Sequence, residues 1–190
     1  MIDYKKEINC IYGEAATGKT TLAKIAAIKF ARDGKVVFID SERGFNLERF
    51  KQLSFNNDEL LKNIIVLKPR DLNEQELQIK SLSKIKDLKL IIIDTIGYFY
   101  RISDKIEGNM TMHRQFNMLS ELSSKIPIIL TNQVYTKLDS RKREMVGGEM
   151  FKNWCKRIIR LEKDPRRIIF EKPINKEIYF EIMNNGILLK

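Results

Sequence analysis

Residues 13–20 read Gly13-Glu14-Ala15-Ala16-Thr17-Gly18-Lys19-Thr20, with the apolar run Ile8 to Tyr12 in front and Leu22, Ile25, Ala26 and Phe30 at helical spacing behind. The octapeptide matches GxxxxGK[ST], the phosphate-binding P-loop, and it lies where that motif must lie, between a strand and a helix. Gly13 and Gly18 let the backbone curl so that successive N–H groups face phosphate oxygens. Lys19 brings a point charge to the β- and γ-phosphates and Thr20 a hydroxyl to Mg²⁺, while the helix that starts there adds the positive end of its dipole. The expected nucleotide-binding residues are therefore Gly13, Glu14, Ala15, Ala16, Thr17, Gly18, Lys19, Thr20 and Thr21, and the expected cofactors are ATP and Mg²⁺.

Working outward, further strand-like runs follow at Lys35 to Ile39, Asn63 to Leu67, Leu90 to Ile93 and Pro127 to Leu130. They are short, rich in Ile and Val and apolar without alternation, as strands covered on both faces are. Helical patterns separate them. The first helix is expected to end at Gly34, the second to be capped by Asp71 and to bury Leu77 and Leu82, and the third to bury Met112, Phe116, Leu119 and Leu122. Strand–helix alternation implies a mostly parallel sheet with helices on both faces. After about Asp139 the pattern changes to Arg157 to Leu161, Arg167 to Glu171 and Glu177 to Ile182, punctuated by Pro165 and Asn184-Asn185-Gly186, which reads as antiparallel hairpin strands added to the sheet edge.

The 190 residues, 43% of them hydrophobic, are one domain's worth of chain with ample core material. Leu90 to Ile93 falls far short of the ~18 apolar residues of a membrane span, and the opening Met-Ile-Asp-Tyr-Lys-Lys-Glu is not a secretory signal, so a cytoplasmic protein is expected. Cys10 and Cys155 lack metal or disulfide spacing and read as core residues. His113 reads as a surface residue and Trp154 as a packing anchor. The net charge of +10 points to a polyanionic partner. Between Lys137 and Arg167 stand 11 basic and five acidic residues, and Lys137, Arg141, Lys142 and Arg143 crowd into seven positions. Such a cluster suits a nucleic-acid backbone. No amphipathic apolar helix flanks it, which disfavours a membrane surface.

A metal's second protein ligand is expected as a carboxylate at a strand tip, and Asp94 closes Leu90-Ile91-Ile92-Ile93-Asp94 in that position. Thr20 and Asp94 thus form the expected Mg²⁺ pair. Phe38-Ile39-Asp40-Ser41-Glu42 ends another strand in two carboxylates that could activate water, and spacing alone does not choose between Asp40 and Glu42.

Taken together, these segments resemble the RecA/RadA recombinase family of ATPases. Phe38-Ile39-Asp40-Ser41-Glu42 is similar to the family's "YIDTE" strand, Ile92-Ile93-Asp94 with Tyr100-Arg101 to its Walker B strand and first DNA loop, and Leu130-Thr131-Asn132-Gln133-Val134 to "ITNQV". Val146-Gly147-Gly148 with Arg160-Leu161 resembles the "GG…RL" region. Arg167 to Pro173, Phe180-Glu181-Ile182 and Asn185-Gly186-Ile187 resemble the closing hairpin. The resemblance spans residues 7 to 187 and is greatest to the small archaeal paralogues made of the ATPase core alone. It implies a RecA-like P-loop ATPase core, residues 1–190 as a single domain, and Glu42, Lys19 and Gln133 as the catalytic set, with Gln133 reporting the γ-phosphate. It places DNA loops near Arg101 to Met110 and Tyr135 to Met145, with Arg101, Lys137, Arg141, Lys142 and Arg143 as DNA-binding residues. Tyr98, Phe99 and Tyr100 are base-stacking or core residues on this reading. Only 12 residues precede Gly13, so neither an amino-terminal DNA-binding domain nor the family's subunit-linking segment is expected. A recombination mediator fits better than a strand-exchange engine: an ATP- and DNA-binding protein with weak, DNA-dependent ATPase activity and a RadA-type recombinase as a candidate partner. The alternatives are a small-molecule kinase with residues 137–143 as a basic lid, and a non-hydrolysing, ATP-dependent adaptor of a recombinase. Oligomeric state is left open.

Overall fold

The structure is a computed structural model that describes residues 2–55, 57–136 and 143–190. The elements run β1 (Ile8–Gly13), α1 (Lys19–Phe30), β2 (Lys35–Asp40), α2 (Leu47–Leu53), α3 (Asp58–Lys62), β3 (Ile64–Leu67), α4 (Leu72–Ser81), β4 (Leu88–Asp94), α5 (Lys105–Ser123), β5 (Ile128–Thr136), β6 (Arg143–Met145), α6 (Gly148–Trp154), β7 (Arg157–Lys163), β8 (Arg166–Lys172), β9 (Lys176–Met183) and β10 (Gly186–Leu189). Among the described residues they form one sheet in the order β10-β9-β8-β7-β1-β5-β4-β2-β3, with β6 paired to β5 off this path. From β7 to β3 every neighbouring pair is parallel, and β7 to β10 pair antiparallel. This is the expected α/β arrangement.

The unbroken apolar runs are explained by burial on both faces. Side chains alternate across a strand, so Val37 and Ile39 enter one core while Val36 and Phe38 enter the other. On the first face Ile91, Ile93, Ile128 and Leu130 meet Ile79 of α4, Met112, Phe116 and Leu119 of α5 and Phe151 of α6. On the second, Leu90, Ile92, Ile129 and Ile11 meet α1 and α2, where Ala23, Ala26 and Ala27 let α1 lie close to the sheet. Cys10 and Cys155 are both buried free thiols, and the Trp154 ring stacks on Phe116 at 5.8 Å, so these three serve the core as expected. His113 is exposed.

Asp71 caps α4, its carboxylate accepting from the Glu74 N–H at 2.8 Å. That register corrects the expectation for Leu77, which is 65% exposed, because the buried face of α4 is Leu72, Gln75 and Ile79. Gly34 also departs from expectation. Helix α1 ends at Phe30, a turn closed by the Asp33 N–H on the Phe30 carbonyl at 3.0 Å intervenes, and Gly34 immediately precedes β2. Helices α2, α3 and α6 and strand β10 were not legible as elements. They are seven, five, seven and four residues long, too short to show a period.

Phe116 lies between Phe151 and Trp154, at centroid distances of 5.0 and 5.8 Å. Phe116→Ala is expected to lower unfolding free energy by about 3–5 kcal/mol. Leu77→Ala is expected to stay within about 0.5 kcal/mol of the wild type. Urea denaturation of the two variants checks both the core assignment and the corrected face of α4.

Candidate functional site

The P-loop leaves β1 at Gly13, where an added Cβ would collide with the Leu161 carbonyl of β7. Gly18 stands at φ 104°, a left-handed conformation that suits glycine, and opens α1. Between them the Lys19 ammonium donates to the carbonyls of Gly13 at 2.9 Å and Glu14 at 2.6 Å, and the Thr17 hydroxyl donates to the Glu14 carbonyl at 2.9 Å. Burial draws the Lys19 pKa below the ordinary lysine value, against the pull of Asp94, Glu42 and Glu14. Ala16, Gly18, Lys19, Thr20 and Thr21 line an open depression of about 300 Å³ closed on one side by Ile182 of β9.

Asp94, at the end of β4, is 7% exposed and accepts hydrogen bonds from the hydroxyls of Thr20, at 3.2 Å, and Thr131. Burial pushes its carboxyl above the usual range, the two hydroxyls oppose that, and Glu42 and Asp40 add repulsion. A hydroxyl and a carboxylate are the hard oxygen donors that Mg²⁺ takes alongside nucleotide phosphates. Thr20 and Asp94 therefore fit Mg²⁺, which when bound would neutralise phosphate charge.

The structure separates the two carboxylates that spacing could not. Asp40 is 1% exposed and its carboxylate accepts from the backbone N–H groups of Gly44, at 3.0 Å, and Phe45, at 2.8 Å. It closes the loop after β2. Glu42 is exposed and accepts from Gln133 Nε2 at 2.6 Å. Gln133 Oε1 in turn accepts from Arg101 Nη1 at 3.1 Å, and the Arg101 guanidinium lies 5.9 Å from the centroid of the Tyr98 ring. Glu42, Gln133 and Arg101, selected from three distant segments, thus form one hydrogen-bonded chain. Asn132 steadies it: its carbonyl accepts from the Gln133 N–H at 3.0 Å and its amide donates to the Val146 carbonyl at 2.8 Å. Nothing in the sequence links Arg101 to Gln133. Strand pairing does, by setting β4 beside β5.

The DNA loops expected from the sequence are redrawn. Asp104 caps α5 by accepting from the N–H groups of Ile106 and Glu107, so Lys105 to Met110 are helical and only the turn around Tyr100–Ile102 and the two residues after it remain of the first loop. The second loop is flanked by a ribbon in which Val134, Tyr135 and Thr136 pair with Met145, Glu144 and Arg143. Lys137, Arg141 and Lys142 lie outside the described residues. Arg143 forms an ion pair with Glu14 of the P-loop, and Lys163 Nζ lies 3.7 Å from the same carboxylate. Phe99 is buried, and Tyr98 and Tyr100 pack against the core.

Among the described residues, the basic density of 143–167 is largely compensated in three dimensions. Arg157 pairs with Glu7, Arg160 with Glu162 and Glu171, Arg167 with Glu162 and Glu177, and Lys152 with Glu149. Arg166 donates to the Ala16 carbonyl at 3.1 Å. Four of these acids, Glu7, Glu14, Glu171 and Glu177, lie outside the window in which the charges were counted.

The Rad51 family model matches residues 4–188. The chain belongs to the Rad51 family. Within it the chain is 36% identical, over 199 residues, to the DNA repair and recombination protein RadB of Methanococcus maripaludis, covering 96% of this chain and 91% of that one. It is 34% identical to RadB of Methanocaldococcus jannaschii, covering 95% and 92%. A crystal structure of the RadB recombinase superposes with a TM-score of 0.81 at 31% identity, covering 97% of this chain and 90% of the other. Among the described residues of this Rad51-family chain, no helix is long and apolar enough to cross a membrane.

The raised Asp94 carboxyl has a stability consequence. A buried carboxyl whose pKa is raised by folding favours the native state below that raised value, and the advantage is lost as pH rises through it. Asp94→Asn keeps an acceptor for Thr20 and Thr131 but removes the charge. In Mg²⁺-free buffer at pH 7 it is expected to raise the thermal midpoint, by about 2–4 °C for each kcal/mol of relief. The gain should shrink as pH falls toward the ordinary carboxyl value of 3.8, as thermal scans across pH would show.

Proposed function

We propose that this Rad51-family chain is an ATP-binding and DNA-binding protein of recombination and repair, acting as a single ATPase domain in the cytoplasm. The observation that carries the reading is the Glu42–Gln133–Arg101 chain, because it joins the carboxylate suited to activating water, the amide suited to reading the γ-phosphate and a cation suited to a DNA phosphate. Lys19 and the P-loop N–H groups would hold the phosphates, with Thr20 and Asp94 on Mg²⁺. The 300 Å³ depression beside Ile182 would take the rest of the nucleotide. DNA would contact Arg101 and the second loop through Lys137, Arg141, Lys142 and Arg143, with little regard for sequence.

Hydrolysis on this reading is weak and DNA-dependent, since groups that stabilise transition-state charge in such sites come from a neighbouring subunit. The relatives' name, DNA repair and recombination protein, supports the DNA partner. A mediator that assists a RadA-type recombinase fits better than a strand-exchange engine. A small-molecule kinase would have no use for a Gln held between a carboxylate and an arginine, and no observation favours it. The non-hydrolysing adaptor is an outcome of the tests below.

Lys19→Ala is expected to weaken ATP binding about 10- to 100-fold, the value of one or two charge-assisted contacts, by calorimetry. Glu42→Gln is expected to abolish DNA-stimulated ATP turnover while leaving ATP affinity within about threefold, which is less than 1 kcal/mol. If the wild type binds ATP without turnover in the presence of single-stranded DNA, the adaptor reading replaces the ATPase.

Changing Lys137, Arg141, Lys142 and Arg143 together to Ala is expected to reduce the slope of log affinity against log salt by about 3. An unchanged affinity and slope in a fluorescence-anisotropy salt titration would remove the second loop as the DNA site.

A further inference from the structure

Behind Glu42 the core holds two amides that the nucleotide site does not use. Gln75 of α4 and Gln115 of α5 are both 0% exposed. The Ser41 hydroxyl donates to Gln75 Oε1 at 2.7 Å. Gln75 Nε2 donates to Gln115 Oε1 at 2.8 Å and to the Ile96 carbonyl at 3.4 Å, and Gln115 Nε2 donates to the Leu72 carbonyl at 3.1 Å. Apolar side chains of similar size could fill this space with no polar group to desolvate. What a satisfied buried network adds is a single fixed arrangement of the elements it touches.

Those elements are the ones that carry the site. Ser41 precedes Glu42, and its N–H donates to the Asp94 carbonyl at 2.8 Å, so the residue is pinned to β4 by its backbone and to α4 by its side chain. On the other flank Asp40 holds Gly44 and Phe45. Glu42 itself projects to solvent from a frame fixed on both sides. Ile96 lies two residues beyond Asp94 on the segment leading to Arg101, and Gln115 lies on the helix that follows that segment. One buried relay therefore underlies both ends of the Glu42–Gln133–Arg101 chain.

We infer that Ser41 and Gln75 are positioning residues for Glu42, setting its carboxylate relative to the nucleotide through a buried relay shared with the root of Arg101. The inference rests on Glu42 being the group that activates water. Neither side chain reaches solvent, so both act through Glu42 and leave the binding of ATP alone.

The test is steady-state ATP turnover with single-stranded DNA for wild type, Ser41→Ala, Ser41→Thr, Gln75→Met, the double variant Ser41→Ala/Gln75→Met, and Glu42→Gln, with thermal midpoints for each. Ser41→Ala is expected to lower kcat roughly tenfold with KM for ATP within about twofold, as loss of alignment without loss of binding does. Ser41→Thr restores the hydroxyl and is expected to return kcat to within about twofold of wild type. The double variant should be no slower than Gln75→Met alone, because the two residues act as one unit. Wild-type kcat in Ser41→Ala, a folded Ser41→Thr that fails to recover, or additive losses would each overturn the inference. Should Gln75→Met fail to fold, the Ser41 pair decides the matter. Glu42→Gln separates the two levels: if it leaves turnover intact, the reading of Glu42 falls and this inference with it. If it abolishes turnover while Ser41→Ala does not slow it, only the inference falls.

Discussion

Parallel pairing in the middle of the sheet is the constraint on which everything else depends. Because β1, β5, β4 and β2 run in the same direction, their carboxyl ends lie along one edge, and the pairing register sets Gly13 opposite Gln133 and Asp40 opposite Asp94. Residues 120 positions apart in the chain become neighbours through backbone hydrogen bonds alone. Open α/β sheets bind ligands in the crevice at this edge, where the strands stop and the loops begin.

The fold was legible in the sequence because both faces of the sheet are buried, and the long apolar runs of β1, β2, β4 and β5 announce that directly. The P-loop and Asp94 were legible because each follows such a run, whereas Gln133 was legible only through the family resemblance of Leu130 to Val134. Spacing alone does not choose between Asp40 and Glu42 and only the resemblance favours Glu42; the structure shows that Asp40 closes onto the backbone of its own loop. Arg101 and Gln133 could be found singly but not as a pair, and the Ser41–Gln75–Gln115 relay left no trace, because a glutamine at a helical position reads as surface. Leu77 is the converse case: an apolar residue in a helical pattern, left in solvent by a register fixed at Asp71.

Charge shows the same limit. The sequence shows a local excess of Lys and Arg, but most of those cations in the described residues meet carboxylates from other segments of the chain. Exposed pairs of this kind contribute only about 0–1 kcal/mol each and can be traded for a nucleic-acid phosphate. The pairing of Arg143 with Glu14 is of particular interest, since it connects the strand after the second loop to the phosphate loop itself.

The contact between Gly13 and the Leu161 carbonyl makes β7 one wall of the phosphate loop, and Arg166 and Lys163 reach the same loop from β8 and β7. During synthesis the P-loop leaves the ribosome early, while the strand that walls it follows almost 150 residues later. The phosphate loop is therefore among the first parts of the protein to be made and among the last to be finished, since its wall is complete only when the final quarter of the chain has folded against the sheet.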